Sequence, residues 1–271
     1  TVPPYARFAE KAALPPERFD PAFLFRLLSA PLGSDYKPPL EHLELVHGLT
    51  LAVGFLALAG LFTRTSLGLY VAGLSFLITH SYGYGEHHHI EVMPMVAMGL
   101  LVFAPCGAAW SLDAWRRGRR EALPPASERR DELAAWPGRL MAWVFGLAYL
   151  SAGLHKLVGG GLDWLNGYTL QAYMLQDALF WNLELGLWLG QQHTLVWLLS
   201  GFTVVFELTF LVVAFRPRWA PLYVLAGASF HLGIWFTMKA PFMIWLPAYA
   251  LLLPWTAWGR RLFRARGATS D

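Results

Sequence analysis

This chain is short of cysteine and of charge. Its one cysteine, Cys106, excludes an internal disulfide and any paired-thiol zinc or redox site, and leaves the redox compartment unread. Charged residues make up 14% of the 271 positions against 56% hydrophobic ones, with a mean hydropathy of +0.40, which excludes an ordinary soluble domain. A glycine-rich phosphate loop, a GxSxG nucleophile elbow and a Walker pattern are missing as well, so nucleotide hydrolysis and serine-hydrolase chemistry have no support. There is no internal repeat. What the chain does have is a succession of long apolar runs, and these predict an all-α, polytopic helical membrane bundle.

The formal charge of +3 says less than where the arginines sit. Arg116-Arg117-Gly118-Arg119-Arg120, Arg129-Arg130, Arg216-Pro217-Arg218 and Arg260-Arg261 each follow an apolar run, the pattern of cytoplasmic loops and not of a nucleic-acid surface. Apolar spans are expected at about 43–62, 66–82, 90–105, 139–157, 194–215, 219–238 and 241–257, giving about seven. Residues 1–42 read as an N-terminal surface arm with an interfacial piece at Phe23-Leu24-Phe25, residues 43–258 as the membrane domain, and residues 259–271 as a basic tail.

The segment 106–138 is the longest charged loop and is expected in the cytoplasm of a cell inner-membrane protein. Alternation then puts the C-terminus on the same side and residues 80–89 and 158–193 outside. It also leaves the N-terminus outside, so a removed signal or a further helix before Thr1 is expected. Residues 158–193, with Trp164, Tyr168, Tyr173, Trp181 and Trp188 interrupted by Asp163, Asp177 and Glu184, read as an aromatic segment on the outer face and not as a span.

Ionisable residues collect at one depth under this topology. His80 closes the second span, His87, His88, His89 and Glu91 open the third, His155 and Lys156 close the fourth, and Glu207 and His231 lie within the next two. Such groups are costly in hydrocarbon, so an outward-facing polar pocket is expected to hold them. Each has a plainer reading. Lys156 at a helix end also fits a snorkelling lysine, and a buried histidine such as His80 usually just hydrogen-bonds a carbonyl. Against this, a lysine in a dry pocket serves as a neutral general base, and Tyr82 and Tyr84 beside His80 can donate to a developing oxyanion.

His87, His88 and Glu91 form an alternative metal-ligand set, although consecutive histidines cannot all point one way. Glu44-Leu45-Val46-His47 has the Glu-x-x-His spacing of carboxylate di-iron bundles, but a second copy is absent. No resident metal is expected.

Four segments in order carry a family likeness: His80-Ser81-Tyr82-Gly83-Tyr84-Gly85; Trp110-Ser111-Leu112-Asp113; Ala152-Gly153-Leu154-His155-Lys156-Leu157 with Asp163-Trp164-Leu165-Asn166-Gly167-Tyr168; and Phe230-His231. Together they resemble the transmembrane domain of the vitamin K-dependent gamma-glutamyl carboxylases, within the horizontally transferred transmembrane (HTTM) family, from about residue 43 to 258. The resemblance implies Lys156 as the base that deprotonates a quinol, with His80 assisting. It further implies a quinone or hydroquinone as the group handled.

A second lysine of the carboxylases is replaced here by His155, so the resemblance extends to quinone handling and leaves peptide carboxylation unsupported. Tyr82, Tyr84, His155, Trp164, Tyr168, Glu207 and His231 are expected to line the substrate site. The functional expectation is a quinone-linked enzyme with membrane lipids and a lipid-soluble small molecule as partners, and no nucleic acid. Two rival classes stand beside it: a structural subunit joined to membrane protein partners in a redox assembly, and a metal-dependent oxidase built on His87–His89.

Overall fold

A computed structural model describes residues 8–33, 36–85, 89–118, 128–255 and 257–258. Among them the chain is helical, with no strand. Thirteen α-helices follow in order: α1 (Phe8–Ala12), α2 (Phe23–Ser29), α3 (Leu40–Ala59), α4 (Thr63–Tyr82), α5 (Val92–Phe103), α6 (Leu112–Gly118), α7 (Glu128–Gly160), α8 (Tyr168–Trp181), α9 (Glu184–Gly190), α10 (His193–Thr209), α11 (Val212–Phe215), α12 (Ala220–Met238) and α13 (Leu246–Tyr249). Short 3-10 turns join several of them.

Four stretches are long and apolar enough to cross a membrane: Leu40–Ala59, Ala135–Asp163, His193–Phe215 and Pro217–Met238. The chain is therefore a multi-pass membrane protein, its apolar helices facing lipid. These four fall on the expected spans at 43–62, 139–157, 194–215 and 219–238. The expected span at 66–82 falls on α4, as long as α3 at 20 residues but diluted by Thr63, Arg64, Thr65, Ser66, Ser75, Thr79 and His80. That at 90–105 falls on α5, whose 12 residues rise about 18 Å against a hydrocarbon core of about 30 Å. The run at 241–257 is cut into 3-10 turns and the four-residue α13, because Pro241, Pro247 and Pro254 each remove a backbone donor.

The segment expected as one charged loop, 106–138, is partly helical. It contains α6 and the first turns of α7, since Glu, Arg, Ala and Leu are good helix formers whatever their polarity. Residues 119–127 and the basic tail from 259 onward lie outside the described residues.

The chain divides into two compact units, 1–134 and 135–271. In the first, α3 and α4 form an antiparallel pair. Gly73 faces Thr50 and Gly54 faces Tyr70, so the two backbones approach where one partner has no side chain. The turn between them depends on Gly60, which ends α3 in the left-handed region at φ 68° and returns its N–H to Ala57 and Leu56.

Residues of the expected surface arm contribute to this unit's interior. Phe8 packs with Leu43 and Leu77, and Phe25 is fully buried against Phe76 and His80. Apolar side chains at the start of α1 and in α2 account for that burial.

Asp113 has a structural task here. Its carboxylate accepts the backbone N–H groups of Phe62 (3.0 Å) and Thr63 (2.8 Å) and the Thr63 hydroxyl (2.8 Å), satisfying the first turn of α4. Its own N–H donates to the Gly60 carbonyl at 2.9 Å. The hydrogen bonds from Thr63 hold the Asp113 carboxyl below its usual pKa, with Phe62 and the Arg117 charge adding to the effect.

A folded-state pKa below the unfolded value means that this stabilisation is present above the ordinary carboxylate range. It is lost as pH falls below about 4 and through the depressed folded value. Asp113→Asn is expected to cost about 1 kcal/mol, typical of a lost cap, and to flatten the acid limb of a thermal-unfolding pH series. An unchanged acid limb in the variant would contradict the assignment.

The second unit holds α8 to α13 and the apolar length of α7. α8 and α9 form a helical hairpin packed on α10 and α12. The aromatic segment expected on the outer face is thus two short helices. Its entry turn requires Gly167, which sits at φ 83° with the Trp197 backbone against it.

Candidate functional site

The polar centre of the second unit grows from one face of α7. Gly146, Tyr149, Gly153 and Lys156 are spaced by three, four and three residues, so they share that face. Gly153 meets α10 closely, and Gly146 meets Leu211 just after it. A Cβ on Gly153 would stand 3.1 Å from the Glu207 Cβ and 3.0 Å from Leu208 Cδ2, and one on Gly146 would stand 2.6 Å from Leu211 Cδ1. The missing side chains bring the helices near enough for Lys156 to reach Glu207. Its Nζ donates to Oε1 and Oε2, both at 2.8 Å.

The Glu207 side chain is 5% exposed and that of Lys156 18%, so the pair lies largely out of water. The ammonium also lies 5.1 Å from the centre of the Trp164 ring. The Trp164 carbonyl accepts the Ser200 hydroxyl from α10, which fixes the turn that carries the indole. Gly153→Leu is expected to overpack this contact, costing about 1–3 kcal/mol and parting Lys156 from Glu207. Unchanged thermal stability of the variant in detergent would show that the helices are not in close contact there.

A second polar cluster lies deeper in the same unit. The Tyr149 hydroxyl hydrogen-bonds His231 Nε2 at 2.7 Å and the Tyr249 hydroxyl, and His231 Nε2 is 3.1 Å from the Tyr249 hydroxyl. All three side chains are buried among aromatic rings, with Phe242 stacked on His231 and Phe145 on Tyr249. Gly227 on α12 leaves room for the Tyr249 hydroxyl, which would be 2.6 Å from an added Cβ. The other imidazole nitrogen of His231, Nδ1, is buried with no hydrogen-bond partner among the described residues.

In the first unit, His80 is 1% exposed near the C-terminal end of α4. Phe19, Phe25 and Tyr84 surround it, with ring centres 5.4, 5.7 and 5.4 Å away. Its Nδ1 is likewise buried and unpartnered among the described residues. Lys11 comes from α1, is 2% exposed, and donates to the hydroxyl of Ser81 beside His80. Tyr82 and Tyr84 line a cavity of about 540 Å³ between the arm and the end of α4. Burial raises the pKa of the Tyr84 phenol above its ordinary value.

The HTTM domain model matches residues 23–258. The chain belongs to the HTTM family. No curated protein and no solved structure matches it. The HTTM match includes α2, which the sequence reading had placed in the arm.

Within this HTTM protein, Lys156, Glu207 and Trp164 come together. His231 meets Tyr149 and Tyr249. His155 is exposed, one residue and so about 100° around α7 from Lys156. Tyr168 is 62% exposed and stacks on His193 at 4.3 Å. Glu91 is half-buried in a short turn, whereas His87 and His88 lie outside the described residues. Among the described residues no group of three His, Cys, Asp or Glu side chains is placed to hold a metal ion.

Lys11, Tyr149 and Tyr249 were missed by sequence reasoning. Tyr149 carried a usable signal, its seven-residue spacing from Lys156 on one face.

Proposed function

We propose that this HTTM protein binds a quinol, or a similar lipid-soluble phenol, within the membrane and takes a proton from its hydroxyl with the Lys156–Glu207 pair. The observation that carries the reading is this pair, out of water and beside the flat face of Trp164. Ammonium with carboxylate and amine with carboxylic acid are both net neutral, so the pair rests in hydrocarbon without a further counter-ion. Uptake of one proton makes it cationic, and the phenolate left behind supplies the balancing charge. Lys156 is the member that reaches solvent or ligand, since Glu207 is the more buried. It is the group in reach of an incoming hydroxyl.

The other assignments follow the family resemblance and the chemistry of the residues. His155, Tyr168 and His231 belong to the surroundings of the ligand, His231 acting through its hydrogen bonds to Tyr149 and Tyr249. Proton abstraction is the step these side chains perform. The redox chemistry belongs to the quinol.

Lipid extraction of the purified protein followed by mass spectrometry tests the reading. Co-purifying quinone supports it. A protein without quinone that is retained only with partner subunits would favour the structural-subunit reading, and stoichiometric iron or copper the oxidase reading.

We further propose an inner-membrane location with residues 106–138 and the C-terminus cytoplasmic and the polar site facing outward, supported by the arginine distribution. A cysteine introduced at Ser127 in a Cys106→Ala background is expected to resist an impermeant thiol reagent added to intact cells. Prompt labelling would reverse the orientation.

A further inference from the structure

The cavity of the first unit has a chemistry that proton abstraction does not use. Its lining residues include Arg18, Arg26, Asp20, Tyr82, Tyr84 and Phe23. Among the described lining residues, two carry a positive charge and one a negative charge. Asp20 reaches only Nη2 of Arg26, at 3.0 Å, and both side chains are well exposed, so this pair is weak and most of the Arg26 donors are left over. Arg18 is exposed as well, and no described carboxylate pairs with it. The wall is held in shape from the backbone, because the Asp20 N–H donates to the Gly83 carbonyl at 2.8 Å and ties the arm to the end of α4.

Beside the cationic cleft lies an apolar surface. On α2 and the turn after it, Phe23 is 81% exposed, Leu27 59% and Leu32 60%, with Leu24 and Leu28 also exposed. An open cationic cleft continuous with exposed large apolar side chains is the arrangement that suits an amphiphile carrying an anionic head. The cavity of about 540 Å³ is roomy enough for a phosphodiester with its polar substituent. Guanidinium groups match phosphate oxygens with paired donors, and tyrosine hydroxyls add neutral ones.

We infer that this cleft is a headgroup site for an anionic phospholipid. Arg18 and Arg26 hold the phosphate, and the acyl chains run along the apolar face of α2. Asp20 lies at the edge of the site and weakens it, which limits the affinity for any anion.

The test uses the full chain in a neutral detergent, with short-chain phosphatidylglycerol as the probe, short-chain phosphatidylcholine as the zwitterionic control and inorganic phosphate as competitor. Binding is read by native mass spectrometry. Wild-type protein is expected to favour phosphatidylglycerol, Arg18→Gln/Arg26→Gln to lose on the order of tenfold in affinity, and Asp20→Asn to gain about threefold. The Asp20 variant keeps the backbone tie to Gly83, so its gain is separate from any folding defect in the arginine variant.

Equal phosphatidylglycerol binding by wild type, the arginine variant and Asp20→Asn would overturn the site. Displacement by equimolar inorganic phosphate would overturn the lipid as its occupant in favour of a free anion. Equal binding of the two lipids to wild type would overturn the role of the arginine charge.

Discussion

Lys156→Met is expected to lower turnover of a quinol-type substrate by about 10²–10⁴-fold, the usual range for a lost general base. It is also expected to destabilise the protein, because the Met leaves the 5%-exposed carboxylate of Glu207 without its cation. Breaking a buried ion pair from one side costs roughly 3–5 kcal/mol, and the partial exposure of Lys156 puts this case at or below the lower end.

The single variant therefore confounds two effects, and Lys156→Met/Glu207→Gln separates them. With the carboxylate replaced by a neutral amide, most of the stability should return while turnover stays low. Turnover near wild type in the stable double variant would leave the pair a structural element. Recovery of turnover with stability, in proportion, would have the same meaning.

Tyr249→Ala is expected to be among the most damaging substitutions in the second unit, at about 3–5 kcal/mol, the range for emptying a buried aromatic site. The ring is 1% exposed, lies 4.7 Å from Phe145, and its hydroxyl meets Tyr149 and His231. Tyr249→Phe keeps the ring and removes only the hydroxyl. Tyr149 and His231 still bond each other at 2.7 Å, so the Phe variant should cost no more than about 1–2 kcal/mol. Thermal unfolding in detergent measures both. Equal losses would mean that the hydroxyl network, and not the packing, carries the stability.

What could be read from the sequence follows from which physical signals are local. The four long apolar helices were legible because hydropathy over about twenty residues answers directly to bilayer thickness. The interruption at 241–257 was not counted against a span there, although Pro241, Pro247 and Pro254 are visible in the sequence. The helical start of α7 was hidden by its charge, since polar helices leave no mark in hydropathy.

At the site, Lys156 and Glu207 were singled out by the cost of charge in hydrocarbon. Tyr249 gave no such sign, because it is 18 residues from His231 and 100 from Tyr149, and only the packing of α7, α12 and α13 joins them. Lys11 was equally silent, in a five-residue helix with no apolar run to flag it. Asp113 was legible as part of a family segment, but its role in closing the first turn of α4 needed the three hydrogen bonds.

The measurement that most directly tests proton transfer to the Lys156–Glu207 pair is the absorbance of a bound phenol. A soluble quinol analogue whose phenolate absorbs apart from the protein is titrated into wild-type and Lys156→Met/Glu207→Gln protein at a pH two units below the analogue's own pKa. The account predicts a phenolate band on the wild-type protein and none on the double variant, with the analogue still bound to both. A fully protonated phenol on the wild-type protein, or an equal phenolate band on both, would contradict it.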